Sequence, residues 1–486
     1  MPSPPAPAPS AGRTLTATLA ASAALSACLQ TAVVPLVPDI SSQLEVGTAA
    51  ASWTLTANLL ASAVLAPVLG RISDLRGRRS MILLCLAAVI AGSVLCLCFK
   101  SLPMLVLGRV LQGAGGALYT LAVSLVREEL PSERVPGTTA AITGALGVGV
   151  SIGVVLPGVM TAMGGDYRLV FVVPCAAAVV ILVSAPRTLP DTARRSGGRV
   201  DWWGAVLLGG TLVSWLTALS QGPTWGWTSV AFTGAVCTGA VTLVAFAAVE
   251  LRLVQPLVDL RELRGRQVLL INGLALLGGA LIIVSRLPVS QFVQTPPSVA
   301  GYGFGASVMT ASLVYLMPGL LTAMGGSVLD GHLVKRYGGH RSVIVGGSAG
   351  LFAYLSLALM HDGAWQVITA SAVTCAAVSI GASALPVVLA RHVPSERFGA
   401  GNGLNALSRW IGSSVASAAL GVLLSPDEGK PYPRENAYAQ VFSLGAAASA
   451  MVVLGGFLIG NKSNTNHASQ TRVRRTGRKL SSVRRD

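Results

Sequence analysis

Two arginines, Arg109 and Arg409, lie inside long apolar segments of the sequence. A charged side chain in such surroundings is costly and usually functional. A guanidinium there can bind an anion, hold backbone carbonyl oxygens or influence the protonation of a neighbouring acid. None of the 19 Asp and Glu residues lies deep in an apolar segment, and Asp39, Glu250 and Asp330 come at segment ends. The pattern favours functional roles for both arginines, with hydrogen bonding to backbone carbonyls as the structural alternative.

An acid surrounded by arginines follows the second apolar segment, in the stretch GRISDLRGRRS. Gly70 and Gly77 flank the acid, Asp74. The arginines are Arg71, Arg76, Arg78 and Arg79. A carboxylate and guanidiniums at a helix boundary form charge-assisted hydrogen bonds that can break when domains move. We predict a conformational latch built from Gly70, Asp74, Gly77, Arg78 and Arg79. The alternative, that the arginines only hold the loop on one side of a membrane, does not explain the acid.

The remaining reactive residues argue against several classes of function. The five histidines are scattered over loops and the tail, and the seven cysteines all fall in apolar segments. Neither set has metal-ligand or disulfide spacing, so we expect no metal, no cofactor and no enzymatic activity. Gly429-Lys430 lacks the pattern of a phosphate-binding loop, so we do not expect ATP to drive the protein. Leu25–Cys28 resembles a lipoprotein cleavage box, but the apolar run continues past it and favours an uncleaved first helix.

The composition indicates the elements that must position these residues. The chain of 486 residues is 52% hydrophobic and 11% charged, whereas a soluble domain has about a quarter charged residues. The apolar runs are continuous and about 20 residues long, which predicts an all-α membrane protein rather than a barrel. Fourteen segments are predicted, at 14–38, 50–70, 81–99, 102–126, 136–163, 169–186, 203–220, 229–249, 267–285, 304–329, 342–360, 365–390, 401–424 and 438–460.

The basic residues predict the orientation. Twenty-eight of the 35 Lys and Arg residues fall in the termini and alternate connections. The opposite side holds Lys100, Arg168, Arg286, Lys430 and Arg434. This asymmetry predicts a multi-pass protein of the plasma membrane with both termini cytoplasmic. The net charge of +16 is thereby explained by topology, and with few aromatic residues we expect no nucleic-acid binding.

Two pairs of similar stretches indicate an internal repeat. Pro-Ser-Glu-Arg occurs at 131–134 and 394–397, and GRISDLRGRRS at 70–80 resembles GHLVKRYGGHR at 331–341. The separations, 263 and 261 residues, nearly agree, so segments one to six correspond to nine to fourteen. Substrate sites of such repeated carriers lie between the halves. The predicted division is a cytoplasmic N-terminus (1–13), a first six-helix half (14–186), a linker with two extra helices (187–266), a second half (267–460) and a basic cytoplasmic tail (461–486).

The motifs resemble the major facilitator superfamily, in its fourteen-helix drug:proton antiporter branch. GRISDLRGRRS is similar to that superfamily's loop motif, and LGRVLQGAGGA (Leu107–Ala117) to its fourth-helix motif. The resemblance implies that Asp74 latches the outward-facing state. It also implies that Arg109, with Gln112 as a polar neighbour, takes part in proton coupling. Since no deep carboxylate is visible, Asp39 is the first candidate for the titrating acid, with a solvated helix end as the alternative.

Two further helices carry candidate residues. The fifth resembles the glycine-rich antiporter motif of exporters, with Pro157 three positions late; its residues are Gly149, Gly153, Pro157 and Gly158. Ordinary helix packing is the alternative there. The first has Gln30 near the place where many members of the branch carry an acid. The polar candidates for a substrate cavity are Gln30, Asn58, Gln112, Tyr119 and Arg409. Hydrogen bonding between helices is their alternative role.

The predicted function is proton-coupled efflux of an amphipathic organic compound, an antibiotic or other secondary metabolite, by alternating access. An importer or facilitator with the same fold is the alternative. The expected partners are a small-molecule substrate, protons and the lipid bilayer, and the chain is expected to act as a monomer. The Ala/Gly/Val-rich segments look most like actinobacterial antibiotic exporters, and that likeness makes a cephamycin the expected substrate.

Overall fold

In a computed structural model the protein is a bundle of long helices, and the described residues contain no strand. The described residues are 9–131, 133–163, 166–190, 201–253, 256, 258, 260–261, 265–393, 398–427 and 430–482. Ser132 and the second Pro-Ser-Glu-Arg stretch lie outside them, as do the predicted topology signals Arg194, Arg195, Arg199 and Arg264.

Within the described residues, fourteen helical segments are long and apolar enough to cross a membrane, which confirms the predicted number. We number them as spans 1 to 14. They are Arg13–Gln43, Thr48–Arg76, Arg78–Cys98, Leu102–Glu129, Gly137–Ala162, Tyr167–Thr188, Trp202–Trp225, Val230–Arg252, Arg266–Gln294, Val308–Tyr337, Gly339–Leu359, Ala364–Leu389, Gly401–Leu423 and Glu435–Ile459.

Spans 1 and 4 are interrupted near their functional residues. Span 1 consists of a helix, a 3₁₀ turn and a short helix, at Pro9–Thr31, Val34–Leu36 and Val37–Gln43. Span 4 consists of two helices joined by a 3₁₀ segment, at Leu102–Gln112, Gly113–Ala117 and Leu118–Glu129. In span 1 the interruption follows from Pro35 and Pro38, which have no N–H to continue the helical hydrogen bonds.

Spans 9 and 10 are interrupted as well. Span 9 consists of Arg266–Val284 and Leu287–Gln294. Arg286, predicted to lie in an outer loop, lies in the turn between these two helices. The apolar run resumes after the arginine, and Pro288 lies at the start of a second helix that the sequence did not predict. Span 10 consists of Val308–Thr310, the π-helical segment Ala311–Leu316 and Met317–Tyr337.

The last helix, Glu435–Ser482, continues past the predicted end of the final span. Other short elements are the 3₁₀ turn Tyr167–Phe171 and the helix Pro297–Ala300.

The two motif loops have the same backbone shape. Gly77, between spans 2 and 3, has φ 92° and ψ 143°, and Gly338, between spans 10 and 11, has φ 87° and ψ 155°. These positive φ values are costly for residues with a Cβ, so glycine is required at both turns. The equivalence inferred from the glycine spacing is therefore visible in the backbone.

The two additional helices pack side by side. Span 7 contacts span 8, and it also contacts span 2 of the first half and span 13 of the second. The indole Nε1 of Trp53 in span 2 donates a hydrogen bond to Ser220 Oγ in span 7 at 2.8 Å. Span 8 is largely exposed on its other faces, as expected for a helix at the lipid-facing side of a bundle.

Candidate functional site

The loop between spans 2 and 3 is held by ion pairs within the first half. Arg78 Nη2 lies 3.4 Å from Asp74 Oδ1 and 2.6 Å from Glu128 Oε1 at the end of span 4. Arg79 donates a hydrogen bond to the carbonyl oxygen of Pro186, at the end of span 6, at 3.0 Å. The predicted latch residues thus join the ends of spans 2, 3, 4 and 6.

Glu128 is the closer partner of Arg78, and the sequence analysis did not identify it. The side chain of Asp74 is 42% exposed, whereas that of Glu128 is 19% exposed. A shorter and less solvated ion pair holds its geometry better. We infer that Glu128 anchors Arg78, which leaves Asp74 the more accessible acid of the loop. The stretch REE at the end of span 4 is the only sequence signal that could have suggested it.

Arg109 is fully buried in the first half, where its guanidinium bonds one group of span 2 and one of its own helix. Its Nε donates to the carbonyl oxygen of Thr54 in span 2 at 2.8 Å, and its Nη1 donates to Gln112 Oε1 at 2.7 Å. Gln112 Nε2 in turn donates to Ser93 Oγ in span 3 at 2.9 Å. Span 3 can approach this closely because Gly92 has no side chain: a Cβ there would lie 2.4 Å from the Gly108 carbonyl oxygen. Arg109 therefore connects spans 2, 3 and 4.

Two polar atoms of this network have no hydrogen-bond partner among the described residues. They are Arg109 Nη2 and Asn58 Oδ1, although Asn58 Nδ2 donates to the carbonyl oxygen of Arg109 at 3.1 Å. An unpaired donor and an unpaired acceptor, both buried, are costly unless something else satisfies them. Asn58 and Gln112, predicted to line a substrate cavity, are each 1% exposed and belong to the Arg109 network.

The other cavity candidates are half-buried. Gln30 lies at the end of the first helix of span 1. The hydroxyl of Tyr119 in span 4 lies 3.2 Å from Thr143 Oγ1 in span 5. Arg409 in span 13 lies within electrostatic range of Tyr119, which belongs to the other half.

Asp39 lies at the opposite end of the bundle from Asp74, since span 2 separates them. It borders a cavity of about 460 Å³ between the end of span 1 and the second half. The cavity is also lined by Ser42, Gln294, Pro433 and Tyr438. Asp39 is half-buried there, and among the described residues no cationic side chain forms an ion pair with it. A carboxylate that borders a partly open cavity can exchange protons with solvent.

The glycines of span 5 permit close contacts with two helices. A Cβ on Gly149 would lie 1.9 Å from the carbonyl oxygen of Ala24, and one on Gly153 would lie 2.1 Å from Thr31 Oγ1. Both contacts are with span 1. A Cβ on Gly158, beside Pro157, would lie 2.6 Å from the Cα of Met309 in span 10. The segment therefore packs the first half internally and also meets the second half.

The two halves meet on the Asp39 side of the membrane region. Thr56 Oγ1 donates to Ser417 Oγ at 2.8 Å, and Gln294 Nε2 donates to the carbonyl oxygen of Pro35 at 3.1 Å. Gly158 and Met309 add a backbone contact at the same end. Towards the Asp74 end span 5 becomes open: Thr143 is exposed, and a Cβ on Gly144 would meet no atom within 4 Å. Span 5 therefore has fewer close neighbours at Thr143 and Gly144 than at Gly149, Gly153 and Gly158.

The second half contains a buried acid at the position matching the end of span 2. Asp330 is 3% exposed and accepts a hydrogen bond from the hydroxyl of Ser342, at the start of span 11. Lys335 occupies the place of Asp74 in this copy. Asp330 thus connects spans 10 and 11 within the second half, a contact that the sequence alone did not indicate.

A family model described as Major Facilitator Superfamily matches residues 19–417. The chain belongs to that superfamily. Among solved structures, the superfamily's architecture is represented by the nucleoside transporter NupG (D323A mutant), with a TM-score of 0.66 and 13% identity over 92% of this chain and 99% of that chain. The fold is therefore that of the superfamily, with two six-helix halves and two inserted helices.

Several curated relatives of the chain come from actinobacteria. An uncharacterised transporter, Rv1877 of Mycobacterium tuberculosis, is 29% identical over 81% of this chain and 57% of the relative. The match thus covers somewhat more than half of that relative's length. The tetracenomycin C resistance and export protein of Streptomyces glaucescens is 25% identical over 85% of this chain and 76% of the relative. A probable actinorhodin transporter of Streptomyces coelicolor is 28% identical over 79% of this chain and 68% of the relative.

Proposed function

We propose that the protein exports an amphipathic organic compound in exchange for protons, by alternating access between its halves. One observation carries the proposal: the halves touch at the Asp39 end, through Thr56–Ser417 and Gly158–Met309, while span 5 is uncovered at Thr143 and Gly144 nearer the Asp74 end. In the proposal the space between the halves opens at that end. A rocking carrier must close one end and open the other. The positive-inside bias supports a cytoplasmic Asp74 end, so this state accepts substrate from the cytoplasm of a cell whose plasma membrane holds the protein.

The proposed proton route uses Arg109 and Asp39. The Arg109 network is buried among spans 2, 3 and 4, and in the proposal its unpaired Nη2 holds a water or a substrate atom as the halves move. Asp39 borders the cavity at the other end and would exchange the proton with the outside. One proton crossing about 100 mV releases about 2.3 kcal/mol, which sustains roughly a 40-fold gradient of substrate.

The proposed latch acts at the Asp74 end. When the halves close there, Asp74 would exchange part of its contact with Arg78 for groups of the second half, while Glu128 keeps Arg78 in place. Spans 7 and 8 lie outside this exchange in the proposal, as a support along spans 2 and 13.

The relatives that export tetracenomycin C and, by its name, actinorhodin support an antibiotic or secondary metabolite as cargo. A cephamycin remains our expected substrate on overall likeness alone. Import is the second candidate, favoured by Gln30 at the place where exporters of this branch often carry an acid.

Vesicles of opposite orientation test the direction. We expect inside-out vesicles, acidified inside, to accumulate a labelled cephamycin or tetracenomycin, and a protonophore to abolish the uptake. Accumulation by right-side-out vesicles alone would refute export and support the second candidate.

A further inference from the structure

Arg409 is the cavity candidate that lies in the second half, and the proposed export cycle gives it no role. It lies in the half of span 13 nearer the Asp74 end, and its backbone packs on span 9, where a Cβ on Gly279 would lie 2.0 Å from the Arg409 carbonyl oxygen. The side chain is half-buried. Among the described residues, no carboxylate forms an ion pair with its guanidinium. The protein thus keeps an uncompensated cation inside a membrane-spanning segment, which is costly without an anionic partner.

Two further hydrogen-bond donors lie near this cation. Asn405 is one helical turn before Arg409 and therefore on the same face of span 13. It is 1% exposed, and its Nδ2 has no hydrogen-bond partner in the part of the chain that the structure describes. Tyr119 approaches from the first half and carries a hydroxyl that can donate. Together the three residues offer a guanidinium, an amide N–H and a phenol as hydrogen-bond donors. An anion with several oxygen atoms can accept from all of them.

The surrounding charge points the same way. Arg109, Arg286 and Arg409 lie away from the ends of spans 4, 9 and 13, whereas Arg127 and Arg266 lie at span ends. The described carboxylates instead lie at span ends or in connections, and the buried ones, such as Asp330, bond within their own half. The nitrogen atoms Nε and Nη1 of Arg109 are already engaged with Thr54 and Gln112. Arg109 is fully buried, whereas the side chain of Arg409 is half-buried in the half of span 13 nearer the Asp74 end, and this difference makes Arg409 the candidate for a substrate's acidic group.

We propose that Arg409, with Asn405 and the Tyr119 hydroxyl, binds an acidic group of the substrate, so that the protein selects amphipathic anions, carboxylates first. A guanidinium binds a carboxylate through two parallel hydrogen bonds, which gives orientation as well as affinity. Because Tyr119 and Arg409 belong to different halves, an anion held by both also draws the halves together. This inference rests on the proposed function, since it names the class of substrate for that same opening.

The test is a binding comparison on the purified full-length protein without any gradient. Anthraquinone-2-carboxylate and its methyl ester share one ring system and differ in charge. We expect the acid to bind at least about tenfold more tightly than the ester, as one charge-assisted hydrogen bond predicts. Arg409→Gln should remove this preference, and Arg409→Lys should keep part of it. Arg434→Gln, at an exposed arginine paired with Asp427 in a loop, is the matched control and should leave the preference unchanged.

Several results would overturn the proposal: equal affinity for acid and ester, no binding of either at millimolar concentration, or an undiminished preference in Arg409→Gln. The thermal midpoint of each unliganded variant shows whether it is folded. If Arg409→Gln does not fold, the acid preference of Arg409→Lys is compared with that of the wild type instead, and an undiminished preference overturns the proposal. Vesicle transport separates this inference from the export proposal. Export of the ester but not the acid refutes the anion site alone, whereas acid binding through Arg409 without outward transport of either probe refutes export alone.

Discussion

Replacing Gly158 by alanine places a methyl group where the second half already lies. The added Cβ would be 2.6 Å from the Cα of Met309 and 3.2 Å from its backbone nitrogen, whereas unstrained apolar contacts are about 3.5–4 Å. Forcing an extra carbon into such a contact costs about 1–3 kcal/mol. The cost applies only while the Asp39 end is closed, so it should shift the two-state equilibrium by about 5-fold to 150-fold towards the state that is open at that end.

Distance measurements between spin labels can detect this shift. Labels on Ser42 in the first half and Lys430 in the second are both exposed at the Asp39 end. We expect Gly158→Ala to increase the population with the longer distance. Gly144→Ala is the matched control, because it lies in the same helix and its Cβ would meet no atom within 4 Å. Unchanged distances in Gly158→Ala, or an equal change in Gly144→Ala, would refute the assignment of Gly158 to the closed end.

Three further substitutions test the proton route and the loop. Arg109→Ala leaves the Thr54 carbonyl and Gln112 Oε1 without their donor, and each unpaired acceptor destabilises the fold by about 1–3 kcal/mol. We expect the variant to insert but to show no pH-driven efflux from proteoliposomes, and efflux at the wild-type rate would contradict the coupling role. Glu128→Gln should lower the thermal midpoint, because its 2.6 Å ion pair with Arg78 is worth about 1 kcal/mol. Asp74→Asn should reduce transport and leave the thermal midpoint unchanged. A lower midpoint in Asp74→Asn with reduced transport only in Glu128→Gln would exclude this division of roles. Asp39→Asn should shift the pH dependence of efflux, and an unchanged profile would make Asp39 only the end of a helix.

The sequence predicted the helices well because length and hydrophobicity decide whether a segment spans a membrane. All fourteen spans occur among the described residues, and the glycine spacing of the loop motifs correctly predicted that Gly77 and Gly338 are equivalent. The second helix of span 9, which begins at Leu287, was not predicted, because a hydropathy pattern interrupted by one charge and a proline resembles a loop.

The site was less predictable because side-chain partners depend on how helices rotate against one another. In a membrane protein most helix faces are apolar, so periodicity does not reveal which face lines an opening. Asn58 and Gln112 could equally have faced the opening or another helix, and the structure places them in the Arg109 network. Glu128 could not be assigned to Arg78 from the sequence, since the two residues are 50 positions apart and meet only through the packing of spans 3 and 4.

Reversal of an imposed pH gradient tests proton-driven alternating access most directly. Proteoliposomes containing the purified protein in one orientation would be loaded with a labelled cephamycin or tetracenomycin, and release would be followed with the outside acidic and then with the inside acidic. The account predicts that protons entering at the Asp39 end drive substrate from the Asp74 side to the Asp39 side, and that inverting the gradient inverts the net flux. Flux that ignores the sign of the gradient, in a protein that still transports, would contradict proton coupling.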